Sequence, residues 1–430
     1  MIALIIGNGG REHALAWKIS QAPNVSKVYV APGNGGTATA DSIIENIDLI
    51  EFDDLVKFAK EKRVDLTIVG PEIPLSNGLV DYFQKNGLKI FGPTQKAAQL
   101  ESSKDFAKKF MVKHGIPTAE HQTFSDIQLA HDYVELKGAP IVIKADGLAA
   151  GKGVVVALTL KEAHDAIDSM LSKNIFGDAG AQVVIEEFLD GEEVSFIAIC
   201  DGDTVLPLAS SQDHKRLQDD DLGPNTGGMG AYSPAPIVTD EMHEKIMKQV
   251  ITPTIEGMKK DGVIFKGFLY AGLMINADKQ IKTLEFNCRM GDPETQPILF
   301  RLKSNLYDIL LAATDNNLSD FTAEWEDVYS ITVVMASHNY PSKPRLNDEI
   351  HIPLMVNENC FIFHAGTKLK DNKTLTSGGR VLGVTAKAKS LQEAKNIVYK
   401  FIQDIKFDGA QFRKDIGKKA LDNYDSIKSS

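Results

Sequence analysis

The chain has 430 residues, of which 43% are hydrophobic and 24% charged, and its formal net charge is −11. This length is too great for one ordinary core and predicts roughly two to four subdomains. The excess of negative charge disfavours nucleic acid as the main partner, because Lys and Arg supply non-specific affinity for a polyanion. The sequence has no CxxC pair and no apolar stretch of about 18 residues. It therefore predicts no zinc site, disulfide framework or membrane span, and we expect a cytoplasmic protein.

Short apolar runs separated by helical patterns occupy the first hundred residues. The runs are residues 2–6, 27–31, 66–69 and 88–91. Buried strands that alternate with helices predict a parallel α/β sheet, similar to a Rossmann fold. Ligands of such sheets lie at the carboxyl ends of the strands. Here those ends carry Asn8 to Glu12, Pro32 to Thr37, and Pro71-Glu72.

The glycine turn after the first run, residues 7–12, has three interpretations. A dinucleotide-binding turn is disfavoured, because Glu12 stands where the third glycine belongs and no acidic residue ends the second strand. The glycines could serve only a tight turn. In the third interpretation, which we favour, the amides of Gly9 and Gly10, the helix N-terminus and Arg11 bind a phosphate.

A second glycine-rich segment, Gly147–Gly153, lies between apolar runs at 141–144 and 154–158. A small loop between two strands predicts a hairpin, and the Walker spacing of a P-loop is absent. Lys104, Lys144 and Lys152 lie on or near this hairpin. Phosphoryl transfer needs cations and backbone N–H donors around a polyphosphate, so the segment predicts a nucleotide-phosphate site.

Two further strands carry polar residues suited to nucleotide and metal. The run 183–189 places Glu186 and Glu187 at a strand end, where carboxylates and backbone groups can face a purine nucleoside; solvated acids are the simpler alternative there. The run 284–289 alternates, so Glu285, Asn287 and Arg289 share one face. A carboxylate and an amide oxygen are hard ligands suited to Mg²⁺, and an adjacent Arg suits a transferring phosphoryl group.

A glycine-rich loop follows Asp213-His214-Lys215-Arg216, and its composition predicts a segment that gates a substrate. His214 alone would more often be structural. After Trp325 strand-like runs return at 331–335, 352–356, 361–363 and 381–385, followed by a helix over 391–405.

Ten blocks of sequence spread over the whole chain add a resemblance to these patterns. They are GNGGREHALAW (7–17), VGPEIPL (69–75), KADGLAAGKGV (144–154), EEFLDGEE (186–193), SQDHKR (211–216), GPNTGGMGAYSPAP (223–236), EFNCRMGDPETQP (285–297), HAGTK (364–368), GGRVL (378–382) and RKDIG (413–417). In these blocks the chain resembles the glycinamide ribonucleotide synthetases, also called phosphoribosylamine–glycine ligases, of the ATP-grasp superfamily.

The resemblance implies a fold, a division of the chain and a reaction. The fold is an N-terminal parallel α/β domain over 1–102, a central ATP-grasp domain over 103–325 with a lid at about 120–190, and a small mixed α/β domain over 326–430. The reaction joins glycine to 5-phosphoribosylamine with ATP, gives glycinamide ribonucleotide, ADP and phosphate, and belongs to purine biosynthesis. The family also suggests a monomer.

The resemblance also implies roles for individual residues. Glu285 and Asn287 would bind Mg²⁺ or Mn²⁺. The ATP phosphates and adenosine would be held by Lys104, Lys144, Gly147, Gly151, Lys152, Gly153, Glu186, Glu187, Leu189 and Glu193. Glycine and phosphoribosylamine would be held by Asn8, Gly9, Gly10, Arg11, Glu12, Pro71, Glu72, Asp213, His214, Lys215, Gly291, Asp292, Lys368 and Arg380. Arg289, Lys144 and Lys215 are the residues expected to act in catalysis.

Other classes of protein explain less of the sequence. An NAD-dependent oxidoreductase would leave the lysines and the 285–289 strand unexplained. A nucleotide-binding module without turnover would not need the complete set of lysines and metal ligands. A related ATP-grasp ligase with another amine or acid is excluded only by the blocks specific to this family.

Overall fold

The computed structural model describes residues 1–148, 153–172, 181–353 and 357–422. Its N-terminal part is a five-stranded parallel sheet of order β3-β2-β1-β4-β5, which confirms the predicted parallel α/β architecture. The strands are β1 (Ile2–Gly7), β2 (Lys27–Pro32), β3 (Ile44–Asn46), β4 (Leu66–Val69) and β5 (Ile90–Phe91). The helices beside them are α1 (Gly10–Ser20), α2 (Gly35–Ala38), α3 (Phe52–Lys62), α4 (Glu72–Ser76) and α5 (Leu79–Lys85).

A small antiparallel sheet of order β6-β9-β7-β8 follows, and we call it the lid sheet after the lid predicted at about 120–190. Its strands are β6 (His121–Phe124), β7 (Ile141–Ala145), β8 (Val154–Ala157) and β9 (Val183–Glu187). The helices of this region are α6 (Gln99–Ser102), α7 (Lys104–Lys113), α8 (Ile127–Lys137) and α9 (Leu160–Ile167), and a π-helical turn (Asp168–Ser172) continues α9. The antiparallel pairing of β7 with β8 confirms the predicted hairpin around the second glycine-rich segment.

A larger antiparallel sheet of order β11-β10-β16-β17 meets this region at an isolated bridge between Thr118 and Thr283. Its strands are β10 (Glu192–Asp201), β11 (Val205–Pro207), β16 (Lys266–Ile275) and β17 (Ile281–Asn287). Two short ladders accompany the sheets: β13 (Arg216–Gln218) with β14 (Leu222–Asn225), and β20 (Thr367–Lys370) with β21 (Lys373–Thr376). We call the first of these ladders the ribbon. The helices are α10 (Asp240–Ile246), which a π-helical turn (Met247–Ile251) joins to α11 (Thr252–Lys260), and α12 (Thr295–Arg301) and α13 (Leu306–Thr314).

The remaining strands form a five-stranded sheet of order β12-β15-β18-β22-β19. They are β12 (Gln212–Asp213), β15 (Gly230–Ser233), β18 (Tyr329–Ala336), β19 (Cys360–His364) and β22 (Arg380–Ala388), with α14 (Leu391–Ile402) beside them. This sheet pairs β15 with β18 across the predicted division at residue 326, so the division remains a prediction. Of the predicted strand at 352–356, residues 352 and 353 are not a strand, and residues 354–356 lie outside the described residues.

Apolar side chains from the N-terminal sheet join those of the large sheet in shared cores. Leu4 and Ile6 of β1 belong to the same buried cluster as Leu269 of β16, while Ile5 belongs with Phe268 to the cluster on the other face. The N-terminal sheet is therefore buried on both faces, as the continuous apolar runs predict. In the described parts of the chain, no helix has the length and apolar character needed to cross a membrane.

Candidate active site

The glycine turn after β1 is filled by a carboxylate. The Gly9 N–H donates to Glu12 Oε2 over 2.6 Å, and Arg11 Nε lies 2.5 Å from Glu12 Oε1. A Cβ added at Gly70, at the end of β4, would lie 2.1 Å from Glu12 Oε1, so the glycine gives this carboxylate its space. Glu12 thus pairs with the Gly9 amide and the Arg11 guanidinium, and the phosphate site predicted in this turn stays a prediction.

The neighbouring group joins the N-terminal turn to the loop after β17 and to the C-terminal sheet. The Arg11 N–H lies 3.4 Å from Asp292 Oδ2, and Arg380 Nη2 lies 3.6 Å from the same oxygen. Arg380 Nη1 also donates to the carbonyl oxygen of Gly227 over 2.6 Å. Burial raises the pKa of Asp292, but Arg380 and Arg11 outweigh this and hold it below its usual value. The structure thus brings together predicted substrate residues from three distant parts of the sequence.

Arg289 lies in a pocket of carboxylates. Its Nε is 3.3 Å from Glu72 Oε2, and its Nη2 is 3.0 Å from Glu101 Oε1. Burial lowers the pKa of Arg289, but Glu101 and Glu72 raise it above its usual value. Glu101 was missed by the sequence reasoning, since no motif connects it with a residue almost two hundred positions later.

Glu285, in contrast to Arg289, is surrounded by cations. Burial raises its pKa, but Lys215, Lys144, Lys104 and Arg289 outweigh burial and lower it to about 2. Lys215 Nζ is 4.0 Å from Glu285 Oε1, and Asn287 Oδ1 accepts a hydrogen bond from Arg289 Nη2 over 3.2 Å. The residues predicted to share one face of the strand are therefore close together, with cations around the carboxylate.

The predicted phosphate-binding lysines approach this centre from the lid side. Lys104 Nζ donates to the carbonyl oxygen of Gly147 over 2.8 Å, and burial lowers the pKa of this lysine. The Ala145 N–H donates to the carbonyl oxygen of Gly153 over 2.8 Å, which closes the hairpin. Gly151 and Lys152 lie outside the described residues.

The position of Glu186 rules out the alternative that this acid is solvated. Glu186 is only 2% exposed, and its carboxylate binds Lys144 Nζ at 3.0 Å and Lys108 Nζ at 2.8 Å. Glu187, in contrast, accepts the N–H of Glu120 over 2.8 Å and pairs with Lys282. The adenosine contacts of these two acids, and of Leu189, remain predictions.

The loop that begins at β12 contributes Lys215 and buries His214. Lys215 pairs with Glu193, and the carboxylates of Glu193 and Asp213 raise its pKa well above the usual value although burial lowers it. Burial raises the pKa of Asp213, which shares this cluster. His214 is buried, its Nε2 accepts the N–H of Gly417 over 3.4 Å, and burial lowers its pKa to about 4. His214 is thus packed as a structural residue, and its contact with substrate stays a prediction.

One further carboxylate near the site, that of Glu294, was not found from sequence. Glu294 Oε1 accepts hydrogen bonds from Ser195 Oγ over 3.1 Å and from Tyr270 Oη over 3.0 Å. A Cβ added at Gly291 would lie 2.4 Å from Glu294 Oε2, so the glycine makes room for this acid. Lys368 is exposed on β20, next to the Gly35 backbone, and its predicted substrate contact remains a prediction.

The fold and site define the class of protein. A lid sheet that carries Lys144, in contact through this lysine with a large antiparallel sheet that carries a carboxylate–amide pair, is the arrangement of an ATP-grasp enzyme. Solved structures of the same fold include a biotin carboxylase from Campylobacter jejuni, with a TM-score of 0.73 and 14% identity over 100% of this chain and 96% of that chain. A biotin carboxylase domain of the Hydrogenobacter thermophilus 2-oxoglutarate carboxylase has a TM-score of 0.71 and 14% identity, over 96% of this chain and 91% of that chain.

The family follows from closer matches. The models of phosphoribosylglycinamide synthetase match over residues 1–101 (N domain), 102–295 (ATP-grasp (A) domain) and 330–419 (C domain). The phosphoribosylamine–glycine ligase of Ralstonia nicotianae is 58% identical over 98% of this chain and 100% of its own. That of Thermotoga maritima, a solved structure, has a TM-score of 0.82 and 33% identity, over 97% of this chain and 100% of its own. The chain belongs to the phosphoribosylglycinamide synthetase family, which confirms the resemblance seen in the sequence blocks.

Proposed function

We propose that this chain joins the carboxylate of glycine to the amine of 5-phosphoribosylamine, with conversion of ATP to ADP and phosphate. The product is glycinamide ribonucleotide, an intermediate of purine biosynthesis. Full-length relatives that carry the name of this activity support the proposal. The observation in the structure that carries it is Glu285, ionised among Lys104, Lys144 and Lys215, four residues before an arginine surrounded by acids.

The chemistry requires activation of a poor acyl donor. A carboxylate does not react with an amine until one of its oxygens becomes a good leaving group, and transfer of the ATP γ-phosphoryl group to glycine gives a glycyl phosphate. Lys104 and Lys144 are placed to hold the phosphates, and Arg289 to face the transferring phosphoryl group. Attack of the amine nitrogen on the acyl carbon then expels phosphate. The protein supplies position, charge and exclusion of water, without a covalent nucleophile.

Glu285 and Asn287 fit a divalent cation of the Mg²⁺ or Mn²⁺ type. The low pKa of Glu285 keeps it ionised, and its neighbour on the same face supplies an amide oxygen. Nowhere in the described residues do three or more His, Cys, Asp and Glu side chains form a metal cage. Such a pair suits a cation that takes two protein oxygens and completes its coordination with nucleotide phosphates. When bound, the cation would neutralise phosphate charge.

The acidic surroundings of Arg289 suit the amine substrates. Glycine brings an ammonium group as well as a carboxylate, and phosphoribosylamine brings a nitrogen that must lose a proton. Arg289 is the cation available to the glycine carboxylate. Glu72 and Glu101 lie beside Arg289, and Asp292 lies beside Arg11. We propose that Asn8 to Glu12, Lys215, Lys368 and Arg380 surround the phosphoribosylamine.

The activity of the family also suggests an oligomeric state and a location in the cell. We propose a monomer in the cytoplasm, where purine biosynthesis supplies its substrates. The net charge of −11 gives no reason to expect nucleic acid as a partner. The division into domains over 1–102, 103–325 and 326–430 is part of the same proposal.

The test measures ADP release by the purified chain with Mg²⁺ and ATP, with glycine and freshly generated phosphoribosylamine added singly and together. Release that needs both substrates, with glycinamide ribonucleotide in the product mixture, supports the proposal. The same mixture without enzyme controls for phosphoribosylamine decay. Release with neither substrate, or only with a different amine, would keep the ATP-grasp chemistry and reject the substrates named here.

A further inference from the structure

Three buried charges form a compact group beside the proposed phosphate site, which we call the Glu186 triad. Glu186 of β9 lies between Lys108 of α7 and Lys144 of β7, and the three residues are 2%, 2% and 6% exposed. Lys108 Nζ is 2.8 Å from Glu186 Oε2, and Lys144 Nζ is 2.9 Å from Glu186 Oε1. One carboxylate thus serves two lysines, and the triad has one positive charge in excess when both lysines are protonated.

The triad also connects the lid sheet to the strand that carries the proposed metal ligands. Lys108 Nζ donates to Thr118 Oγ1 over 2.8 Å, and that hydroxyl donates to the carbonyl oxygen of Thr283 on β17 over 2.8 Å. Lys144 Nζ lies 3.3 Å from the carbonyl oxygen of Leu284. Both lysines therefore reach the backbone immediately before Glu285, one through a hydroxyl and the other directly.

We propose that Lys108 is a positioning residue that keeps Glu186 paired, so that the ammonium group of Lys144 is available to the phosphates of ATP. The inference rests on the proposed function in one respect, namely that Lys144 binds ATP phosphates. When Lys144 turns towards a phosphate, Glu186 loses one of its two partners. A buried carboxylate left without a counter-ion is strongly destabilising, and Lys108 prevents this.

Without Lys108, the carboxylate of Glu186 has only Lys144. The two charges then pair fully inside the protein, and ATP must compete with a buried ion pair for the same ammonium group. ATP binding is weakened, while the steps after binding still have Arg289 and Lys215 in place. The expected effect is a higher KM for ATP with a nearly unchanged kcat.

The charges around Lys108 provide a readout that a purely structural role would not give. Burial and the neighbouring Lys144 lower the pKa of Lys108 to about 8, against the opposing influence of Glu186 and of the more distant Glu285. Lys104, at the start of α7, faces the other two members of the triad, Lys144 and Glu186. As the pH rises through about 8, Lys108 loses its charge, and the triad changes from one excess positive charge to none.

The experiment compares the full-length enzyme with Lys108→Met and Lys108→Arg, with Lys109→Met as the matched control. Lys109 is the next residue of α7, and its side chain is 72% exposed beside Asp105. We expect Lys108→Met to raise the KM for ATP about tenfold, with kcat within about threefold of the wild type, the size of one lost charge-assisted interaction. Lys109→Met should leave both constants unchanged.

The pH dependence completes the test. The KM for ATP of the wild type should rise above pH 8, that of Lys108→Met should be high and flat, and that of Lys108→Arg should stay low because guanidinium keeps its proton. Glu186→Gln in the Lys108→Met background should lower the KM again, because no carboxylate then holds Lys144. If Lys108→Met does not fold, the Lys108→Arg profile and the double variant still decide.

A wild-type KM for ATP in Lys108→Met, or the same alkaline rise in Lys108→Arg as in the wild type, would overturn the proposal. A fall in kcat at constant KM would do the same. Equilibrium binding of ATP alone, measured by displacement of a fluorescent ATP analogue, separates this proposal from the proposed function. Loss of ATP affinity in Lys108→Met, together with no turnover of glycine and phosphoribosylamine by the wild type, would support the role of Lys108 and reject those substrates.

Discussion

Glu285 and Arg289 are four residues apart, yet their surroundings are opposite in charge. Glu285 faces Lys215, Lys144, Lys104 and Arg289, whereas Arg289 faces Glu101, Glu72 and Glu294. Lys144 comes from the lid sheet, Lys104 from α7 and Lys215 from the loop after β12, while Glu72 and Glu101 come from α4 and α6. Each central charge is therefore held by groups from other elements, and the two halves of the site are prepared for different ligands.

The difference indicates a division of work. A cluster of lysines around one carboxylate suits a polyphosphate with its cation, because it can accept further negative charge. A cluster of carboxylates around one arginine suits substrates that bring a positive ammonium group together with a carboxylate. The acyl phosphate would form at the border between the two halves, where Asn287 bonds to Arg289.

The largest expected effect comes from removing the centre of the cationic half. Glu285→Ala should lower kcat by about a thousandfold or more. The proposed metal then loses its carboxylate ligand, and the charge of the ATP phosphates is no longer neutralised by a bound cation. Steady-state ADP release at several Mg²⁺ concentrations measures this. Asp278→Ala, an exposed carboxylate in the turn between β16 and β17, is the matched control and should be fully active. An active Glu285→Ala enzyme with normal metal dependence would contradict the assignment.

The second expected effect comes from removing the centre of the acidic half. Arg289→Met should lower kcat/KM for glycine at least about a hundredfold, because the carboxylate of the substrate loses the guanidinium group that binds it. It should also lower the free energy of unfolding by about 3 to 5 kcal/mol, because Glu101 and Glu72 lose their counter-ion. Urea unfolding and glycine saturation curves measure the two effects.

A double variant separates stability from activity in this half. Glu101→Gln added to Arg289→Met removes one uncompensated buried charge, so it should restore part of the stability without restoring activity. Recovery of activity in the double variant would mean that Arg289 only neutralises the acids and does not face substrate.

The third effect concerns Arg413, which holds the ribbon through hydrogen bonds. Arg413 is 1% exposed, and it bonds Asp221 Oδ1 over 2.7 Å, the Arg216 carbonyl oxygen over 3.2 Å and Asp415 Oδ2 over 2.7 Å. Arg413→Met should loosen the segment after Lys215, lower kcat/KM about tenfold and cost about 3 kcal/mol of stability.

The control for this variant is a surface arginine in the same part of the chain. Arg345 pairs with Asp348 and Asp408 at a half-exposed position, so Arg345→Met should cost much less stability than Arg413→Met. Thermal unfolding and protease cleavage within residues 214–225 measure the difference. Equal losses of stability in the two variants would show that the buried hydrogen bonds of Arg413 stabilise the protein no more than a surface ion pair does.

The smallest effect is a pH dependence of stability that lies outside both halves. His13 Nδ1 accepts the N–H of His364 over 2.9 Å, and burial lowers the pKa of His13 from 6.5 to about 3. Between these values the unfolded chain binds a proton that the folded chain does not, so stability falls as the pH falls below 6.5. The slope is about 1.4 kcal/mol per pH unit for each such histidine.

His13→Gln should make this slope shallower by up to one proton. The free energy of unfolding of both proteins, measured by urea at several pH values between about 5 and 7, gives the slopes directly. Identical slopes would show that His13 is protonated in the folded state. His364 and His214, whose pKa burial lowers to about 4, contribute to the slope in both proteins.

Much of the fold could be predicted because the evidence for it is local. The continuous apolar runs at 2–6 and 66–69 are β1 and β4, and the alternation over 284–289 brought Glu285, Asn287 and Arg289 together. Strand β3 was missed because three residues are too few for a pattern.

The partners of the charged groups could not be predicted. Whether a strand-end acid such as Glu186 is solvated, bound to nucleotide or buried depends on what packs over it, and here Lys108 arrives from another element. The same holds for Glu101 beside Arg289 and for Asp221 beside Arg413, pairs that lie far apart in sequence. A motif shows that a residue is charged, but only the folded chain shows what neutralises it.

The transfer of oxygen from glycine to phosphate tests most directly whether the two halves act as proposed. Glycine labelled with ¹⁸O in its carboxylate is turned over with ATP and phosphoribosylamine, and the released phosphate is analysed by mass. If the cationic half places the γ-phosphoryl group on the carboxylate and the amine then displaces it, each phosphate carries one oxygen from glycine. Unlabelled phosphate, formed at the same rate as glycinamide ribonucleotide, would contradict the glycyl phosphate route and the division of the site into these two halves.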